Sequence, residues 1–205
     1  MSARRWPATL LWMPMAISLV GCSNTVAIDV GYPDAGVNRA TLASVRPRRV
    51  EIRPVTDRRP DTTRVGIQPD EKKKVVVTSR PVTDIVRDAL AAELRRNGHV
   101  VVPDRPDLTI AADVDEFAFD TVVARSSAQY VGKVALALTV TERQSGKTLF
   151  SRRYVGIKRQ NADREAKQAA RDVMDAALAR AMHDLATDAE LAHAFGDGRL
   201  DVQRI

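Results

Sequence analysis

Apolar residues recur along most of this chain with a period of either two or three-to-four, and the switches between the periods mark its elements. Val50 and Ile52 alternate with Arg49, Glu51 and Arg53, which predicts a strand over 49–55. Arg58-Arg59-Pro60-Asp61 is polar and carries a breaker, so it reads as a turn. A short strand is expected at 64–67 and another at 73–78 around Val75-Val76-Val77. The period then lengthens. Val82, Ile85, Val86, Ala89, Leu90, Glu93 and Leu94 fall on one stripe, predicting a helix over 81–97. Pro81 suits the first helical position, Ser79 is a candidate cap, and Gly98 suits the closing one. Asp84 near the start and Arg95 and Arg96 near the end complement the helix dipole.

Period two returns at His99–Pro103 and again over Leu108, Ile110, Ala112 and Val114. Phe117 and Phe119 lie on the opposite parity, which predicts a bulge near Asp115-Glu116. Residues 121–129 read as a polar loop. Val134, Leu136, Leu138 and Val140 alternate strictly, Gln144-Ser145-Gly146-Lys147 is a hairpin turn, and 148–158 is the return strand. A second long helix is expected over 162–186, capped by Asn161, with an alanine-rich stripe able to lie close to a sheet. Thr187-Asp188-Ala189-Glu190 is a capping box that opens a short helix to Phe195. Residues 23–48, with Gly31, Pro33, Gly36 and Pro47, show no sustained period and read as a tether. The fold class expected is α+β: an antiparallel sheet of about four to five strands with two long helices packed on one face.

The first 22 residues follow neither period. A basic head (Arg4, Arg5) precedes an apolar run, Leu10–Val20, about half the length of the roughly 20 residues that cross a bilayer. The run ends in Leu19-Val20-Gly21-Cys22, and Cys22 is the only cysteine. These four residues resemble the lipobox of bacterial lipoproteins. The resemblance implies that the Cys22 thiol takes a diacylglycerol, that signal peptidase II reads Leu19, Val20 and Gly21 and cuts before Cys22, and that further acyl chains make attachment effectively permanent. Ser23 rather than an aspartate implies sorting to the outer membrane. The expected organisation is a signal peptide at 1–21, a lipidated N-terminus and tether at 22–48, a periplasmic α+β domain at 49–195 and a flexible tail at 196–205.

Composition changes this picture little. The chain has 205 residues and a formal charge of +6, and both tryptophans, Trp6 and Trp12, lie in the signal. A basic balance ordinarily raises nucleic acid as a partner, but an exported, tethered protein does not meet it. Anionic lipid or another envelope protein is the expected counterpart. With few aromatic platforms, a stacking site for flat ligands is not expected.

From Lys73 to Phe195 the chain resembles the YajG-like family of bacterial lipoproteins. The likeness is carried by Val77-Thr78-Ser79-Arg80-Pro81, Val86-Arg87-Asp88-Ala89-Leu90, Asn97-Gly98-His99-Val100, Asp107-Leu108-Thr109-Ile110, Gln160-Asn161-Ala162 and Asp188-Ala189-Glu190-Leu191. It implies a lipid-anchored envelope protein without an assigned activity, with a fold similar to the auxiliary lipoproteins of ABC-type transport systems.

The candidate chemistry is sparse. Asp113, Asp115, Glu116 and Asp120 are the densest acidic group and could serve as acid and base or hold a cation, or else form a solvated face paired with Lys133, Arg152 or Arg153. His99, His183 and His193 are not spaced as helical metal ligands. A basic run of Arg46, Arg48, Arg49, Arg53, Arg58, Arg59, Arg64, Lys72, Lys73 and Lys74 could lean on anionic headgroups or be solvated. The expectation is a protein that is not an enzyme, has no cofactor or metal, and acts in the envelope through a protein partner. The alternative is an auxiliary, ligand-binding lipoprotein with an apolar pocket near Leu90, Leu94, Val134 and Leu136.

Overall fold

The computed structural model describes residues 24–32, 40–68, 73–123, 127–163 and 165–196. In chain order the strands are β1 Thr25–Ile28, β2 Arg49–Ile52, β3 Thr56–Asp57, β4 Gly66–Ile67, β5 Val75–Thr78, β6 Val100–Val101, β7 Leu108–Val123, β8 Ala128–Glu142 and β9 Thr148–Asn161. The helices are α1 Val82–Arg96, α2 Ala166–Thr187 and α3 Ala189–Gly196, with one 3-10 turn at Thr41–Ser44.

The strict alternation of the second half builds an antiparallel meander. β7 pairs with β8 from Leu108↔Glu142 to Val123↔Ala128, and β8 pairs with β9 from Gln129↔Asn161 to Thr141↔Thr148. The parity change in β7 is a bulge: the register shifts between Val114 and Glu116, so Asp115 is the extra residue. That shift keeps Val114, Phe117 and Phe119 all in the core. Gly146 makes the β8–β9 turn with φ 72°, a conformation that costs glycine little.

The architecture corrects the expected one. The sheet is mixed and has nine strands among the described residues, with three helices, rather than four to five antiparallel strands and two helices. The difference lies on the other edge of β7, where β2, β3 and β4 pair parallel to it in succession (Val50↔Leu108, Thr56↔Asp113, Gly66↔Phe119). β6 adds parallel to β2, β5 antiparallel to β4, and β1 parallel to β5. Parallel neighbours are distant in sequence and leave no hairpin signal. β1 and the 3-10 turn lie in the stretch read as a tether, and Ile28 and Leu42 are part of the core. The stretch read as a polar loop is strand on both sides, up to Val123 and from Ala128.

α2 lies directly on β8 and β9. Its stripe of Ala169, Ala170, Val173, Met174, Ala177, Leu178, Ala181 and Met182 is fully buried. The sheet meets it with glycines: a Cβ on Gly132 would meet the carbonyl of Val173, and one on Gly156 would meet the Ala177 carbonyl oxygen and stand 2.7 Å from the Ala181 amide nitrogen. Alanine facing glycine brings helix and sheet backbones into contact. α2 starts later than the sequence suggests. Asn161 closes β9 opposite Gln129, and Glu165 is the residue before the helix.

α1 begins at Val82, so Pro81 is the residue before the helix rather than its first, and there is no side-chain cap; the Ser79 hydroxyl instead reaches Asp29 at 3.1 Å. α1 ends in a Schellman motif. Gly98, at φ 85°, donates to the Arg95 carbonyl, and the His99 amide donates to that of Leu94, both at 3.0 Å. This turn delivers His99 into the core against Phe195, with ring centroids 4.8 Å apart.

Candidate functional site

The acidic group of β7 does not converge. The bulge and the strand alternation spread its members along the strand, where Asp113 and Asp115 each meet their own cation and Glu116 and Asp120 share one. Arg58 pairs with Asp113 at 3.0 Å, Arg153 with Asp115 at 2.8 Å, and Lys133 with Asp120 at 2.9 Å and Glu116 at 3.9 Å. The Asp120 bond raises the Lys133 ammonium above its usual range. The small side chains of Ala135 and Ala137 on β8 lie between β7 and β9 in this register and leave Arg153 room to reach Asp115. No three His, Cys, Asp or Glu residues among those described stand together as metal ligands do.

The histidines also have structural places. His183 and His193 are exposed on α2 and α3. His99 is buried, and its Nδ1 accepts the Arg48 amide at 3.2 Å. Burial lowers its pKa, so the ring is neutral at physiological pH.

Two members of the basic run, Arg48 and Arg59, are spent inside the molecule; Arg46, Arg49, Arg53, Arg58, Arg64 and Lys73 stay exposed, some of them tied to neighbours, and Lys72 lies outside the described residues. Arg48 is buried and its Nε donates to the Phe195 carbonyl at 2.7 Å. Arg49 donates to the carbonyls of Arg105 and Asp104, both at 3.0 Å. Arg64 pairs with Asp61 at 2.7 Å.

Arg59 fills the gap where the chain leaves the ladder between β3 and β4. Its side chain is only 6% exposed. It grips Asp57 with two nitrogens, at 2.9 and 2.8 Å, and donates to the carbonyls of Arg64 (2.9 Å), Thr62 (3.3 Å) and Phe117 (3.4 Å). The guanidinium therefore supplies donors that a continuous strand would have supplied from its backbone. It holds the Asp57 carboxyl below the usual range. Beside it, Arg64, Gly66, Ile67, Lys73, Phe119 and Asp120 line part of an open cavity of about 640 Å³. Charges of both signs line it without converging on one point.

A second polar cluster went unread in the sequence. Glu93 is fully buried at the end of α1. It accepts the Tyr32 hydroxyl and the Asn97 amide at 2.9 Å, and lies 3.6 Å from Arg96. Arg96 in turn covers the Tyr32 ring at 4.5 Å. Burial and the bond to Glu93 push the Tyr32 hydroxyl well above its usual pKa. An acid inside the apolar stripe of a helix was the available signal: a buried carboxylate needs partners. The cluster fastens the N-terminal segment to α1.

The apolar pocket expected near Leu90, Leu94, Val134 and Leu136 is occupied by packing. All four belong to the core cluster, and none lines any of the four cavities described in the structure. Cys22 and the residues Leu19, Val20 and Gly21 lie outside the described residues, as do the signal peptide and the tail at 197–205.

The fold is similar to that of a solved bacterial protein. Protein XCC0632 from Xanthomonas campestris, of the family model DUF330, is 16% identical over 82% of this chain and 94% of its own, with a TM-score of 0.57. A minor lipoprotein from Acinetobacter baumannii is 12% identical over 69% of this chain and 92% of its own, with a TM-score of 0.40. No curated protein matches the chain. Residues 37–195 match the model of a family described as "uncharacterized lipoprotein", and the chain belongs to that family.

Proposed function

We propose that this lipoprotein is held to the outer membrane by acyl chains on Cys22, faces the periplasm, and acts by contact with another envelope protein rather than by catalysis. The lipobox residues and the family support the anchor. The observation that carries the contact reading is the state of β9. It is a 14-residue strand that pairs only with β8 among the described residues, so one row of its amides and carbonyls has no strand neighbour. Its outward face presents Val155 and Ile157, both exposed, between Arg153 and Arg159. A long edge with apolar and cationic positions suits an incoming strand with apolar and acidic ones. The paired acids of β7 favour this reading over hydrolysis, and the packed core favours it over ligand carriage.

A photo-crosslinking residue at Val155 or Ile157, introduced into the full chain in living cells, tests it. One reproducible adduct from these positions, absent when the same residue replaces Val100 at the other edge of the sheet, is the expected result. Cells that give no adduct from β9 overturn the contact reading. The mass of the N-terminal tryptic peptide checks the anchor separately.

A further inference from the structure

The strand directions and the position of Cys22 together fix which end of the domain meets the membrane. β1 is parallel to β5 with Thr25 beside Val75, β4 is antiparallel to β5 with Ile67 beside Val75, and β7 is parallel to β4 with Phe119 beside Gly66. The start of β1 and the far end of β7 are therefore at the same end of the sheet. Two residues, Ser23 and Asn24, separate Cys22 from Thr25, so the chain takes three steps, and an extended chain advances ~3.5 Å per residue. A lipid on Cys22 thus holds this end of the sheet within about 10 Å of its own attachment point, far closer than a tether reaching to residue 48 would.

The same end carries an unusual break in pattern. Along β7 the core side is apolar and the other side is mostly polar or small, but Val122 and Val123, adjacent and so on opposite faces, are both exposed, at 54% and 73%. They pair with Gln129 and Ala128, the last two described pairs of the β7–β8 ladder. Ile67, also exposed, is on β4, which pairs with β7 three residues before Val122. A strand end that exposes a valine on each face is suited to a surrounding that is apolar on every side, which a bilayer interface provides and a one-sided protein contact does not. Charges of both signs stand at this end of the sheet: Lys73 and Asp120 line the same cavity, and Arg159 pairs with Val131, the β8 partner of Asp120. The contact is therefore apolar in origin rather than an attraction to anionic headgroups.

We infer that the far end of β7, through Val122 and Val123, rests in the lipid surface and orients the domain on the membrane. This rests on the anchored reading above. The test uses the full-length lipoprotein purified from membranes, in which an acylated Cys22 leaves an introduced cysteine as the only free thiol. Val123→Cys, Val122→Cys and Val100→Cys variants are labelled with an environment-sensitive fluorophore and reconstituted into phosphatidylethanolamine–phosphatidylglycerol vesicles containing a headgroup-region spin-labelled lipid. Val100 is comparably exposed, at 52%, but lies beside Arg49 at the opposite end of the sheet. The expected result is at least twofold stronger quenching at 122 and 123 than at 100, unchanged in high salt. Equal quenching at the three positions, with lipid on Cys22 confirmed by mass, overturns the inference and leaves the anchor standing. A blue shift at 123 without lipid quenching identifies a protein contact, including a second copy of this chain, and also overturns it. An N-terminal peptide without lipid mass overturns the anchor and the inference together.

Discussion

The two edges of β7 are built by opposite means. On one, β8 follows through a hairpin and pairs along the whole strand, β9 repeats the manoeuvre, and α2 closes on both through backbone-level contact at Gly132 and Gly156. On the other, β2, β3 and β4 supply three, two and one residues of parallel ladder, broken around Pro54 and over residues 58–65. Arginine side chains complete what the backbone omits. The first edge is held by close packing, which tolerates almost no added volume. The second is held by directional bonds from side chain to carbonyl, which tolerate change of shape but not loss of a donor. The contrast predicts that the same chain fails in two different ways.

The largest effect is expected at the helix–sheet seam. Gly156→Ala places a methyl carbon against the Ala177 carbonyl oxygen and 2.7 Å from the Ala181 nitrogen. Both are helix backbone, so relief requires α2 to lift from two strands. Overpacking of this kind costs roughly 3 kcal/mol, which lowers Tm by about 6–12 °C in a domain of this size. Thermal unfolding by circular dichroism measures it, and hydrogen exchange should accelerate throughout the domain because α2 covers its core. A variant with unchanged Tm would mean that the seam is looser than the close approach implies.

Arg59→Ala probes the other edge. It strips a nearly buried guanidinium from three carbonyls and from Asp57. The expected loss is about 2 kcal/mol, set by acceptors left without donors and an acid left without its partner. Arg59→Lys should restore less than half, since a single ammonium cannot fork to the same set. The pattern of failure sharpens the comparison. Exchange should rise locally, at the Val65 and Phe119 amides that close the β4 junction, while the β8–β9 amides stay protected.

The same contrast explains what could be read from the sequence. The bulge at Asp115, the strict alternation of Val134–Val140, the turn at Gly146 and the stripe of α1 each repeat a period over neighbouring residues, and each is found where the pattern places it. β1, β3 and β4 are too short to show a period, and their partners are as many as 57 residues away, as for Thr56 and Asp113. Pairing such segments is decided by tertiary packing, and no local residue records it. The candidate site followed the same rule. That the β7 acids pair across strands was legible because strands alternate; of the three cations the pattern offers, Lys133 and Arg153 meet them, and Arg152 pairs with Asp188 and Glu190 instead. The burial of Arg48 and Arg59 was not, because a run of arginines looks solvated until a gap in a sheet demands donors. Glu93 stood in plain view on an apolar stripe, and its oddity was the clue to a cluster that binds Tyr32.

The smallest predicted effect tests whether charge also matters on the packed edge. Asp188 joins α2 to α3. It accepts Tyr154 at 2.8 Å and Arg152 at 2.7 Å through one oxygen, and the amides of Glu190 and Leu191 at 2.9 and 3.3 Å through the other. It, rather than Thr187, caps the last helix. Burial works to raise its pKa, but these hydrogen bonds and the Arg152 charge outweigh it and hold the carboxyl below the ordinary value. A depressed folded pKa means that its stabilisation is fully present above the unfolded value near 3.9 and is lost as pH falls through the folded one. Asn at this position keeps the cap but discards the charge, much as protonation does. Asp188→Asn should therefore cost about 1 kcal/mol at pH 7, and the gap between variant and parent should close as urea melts are repeated from pH 5 down through pH 3. A gap that stayed constant over that range would show that Asp188 acts through shape alone, and that both sides of the β8–β9–α2 layer owe nothing to its charge.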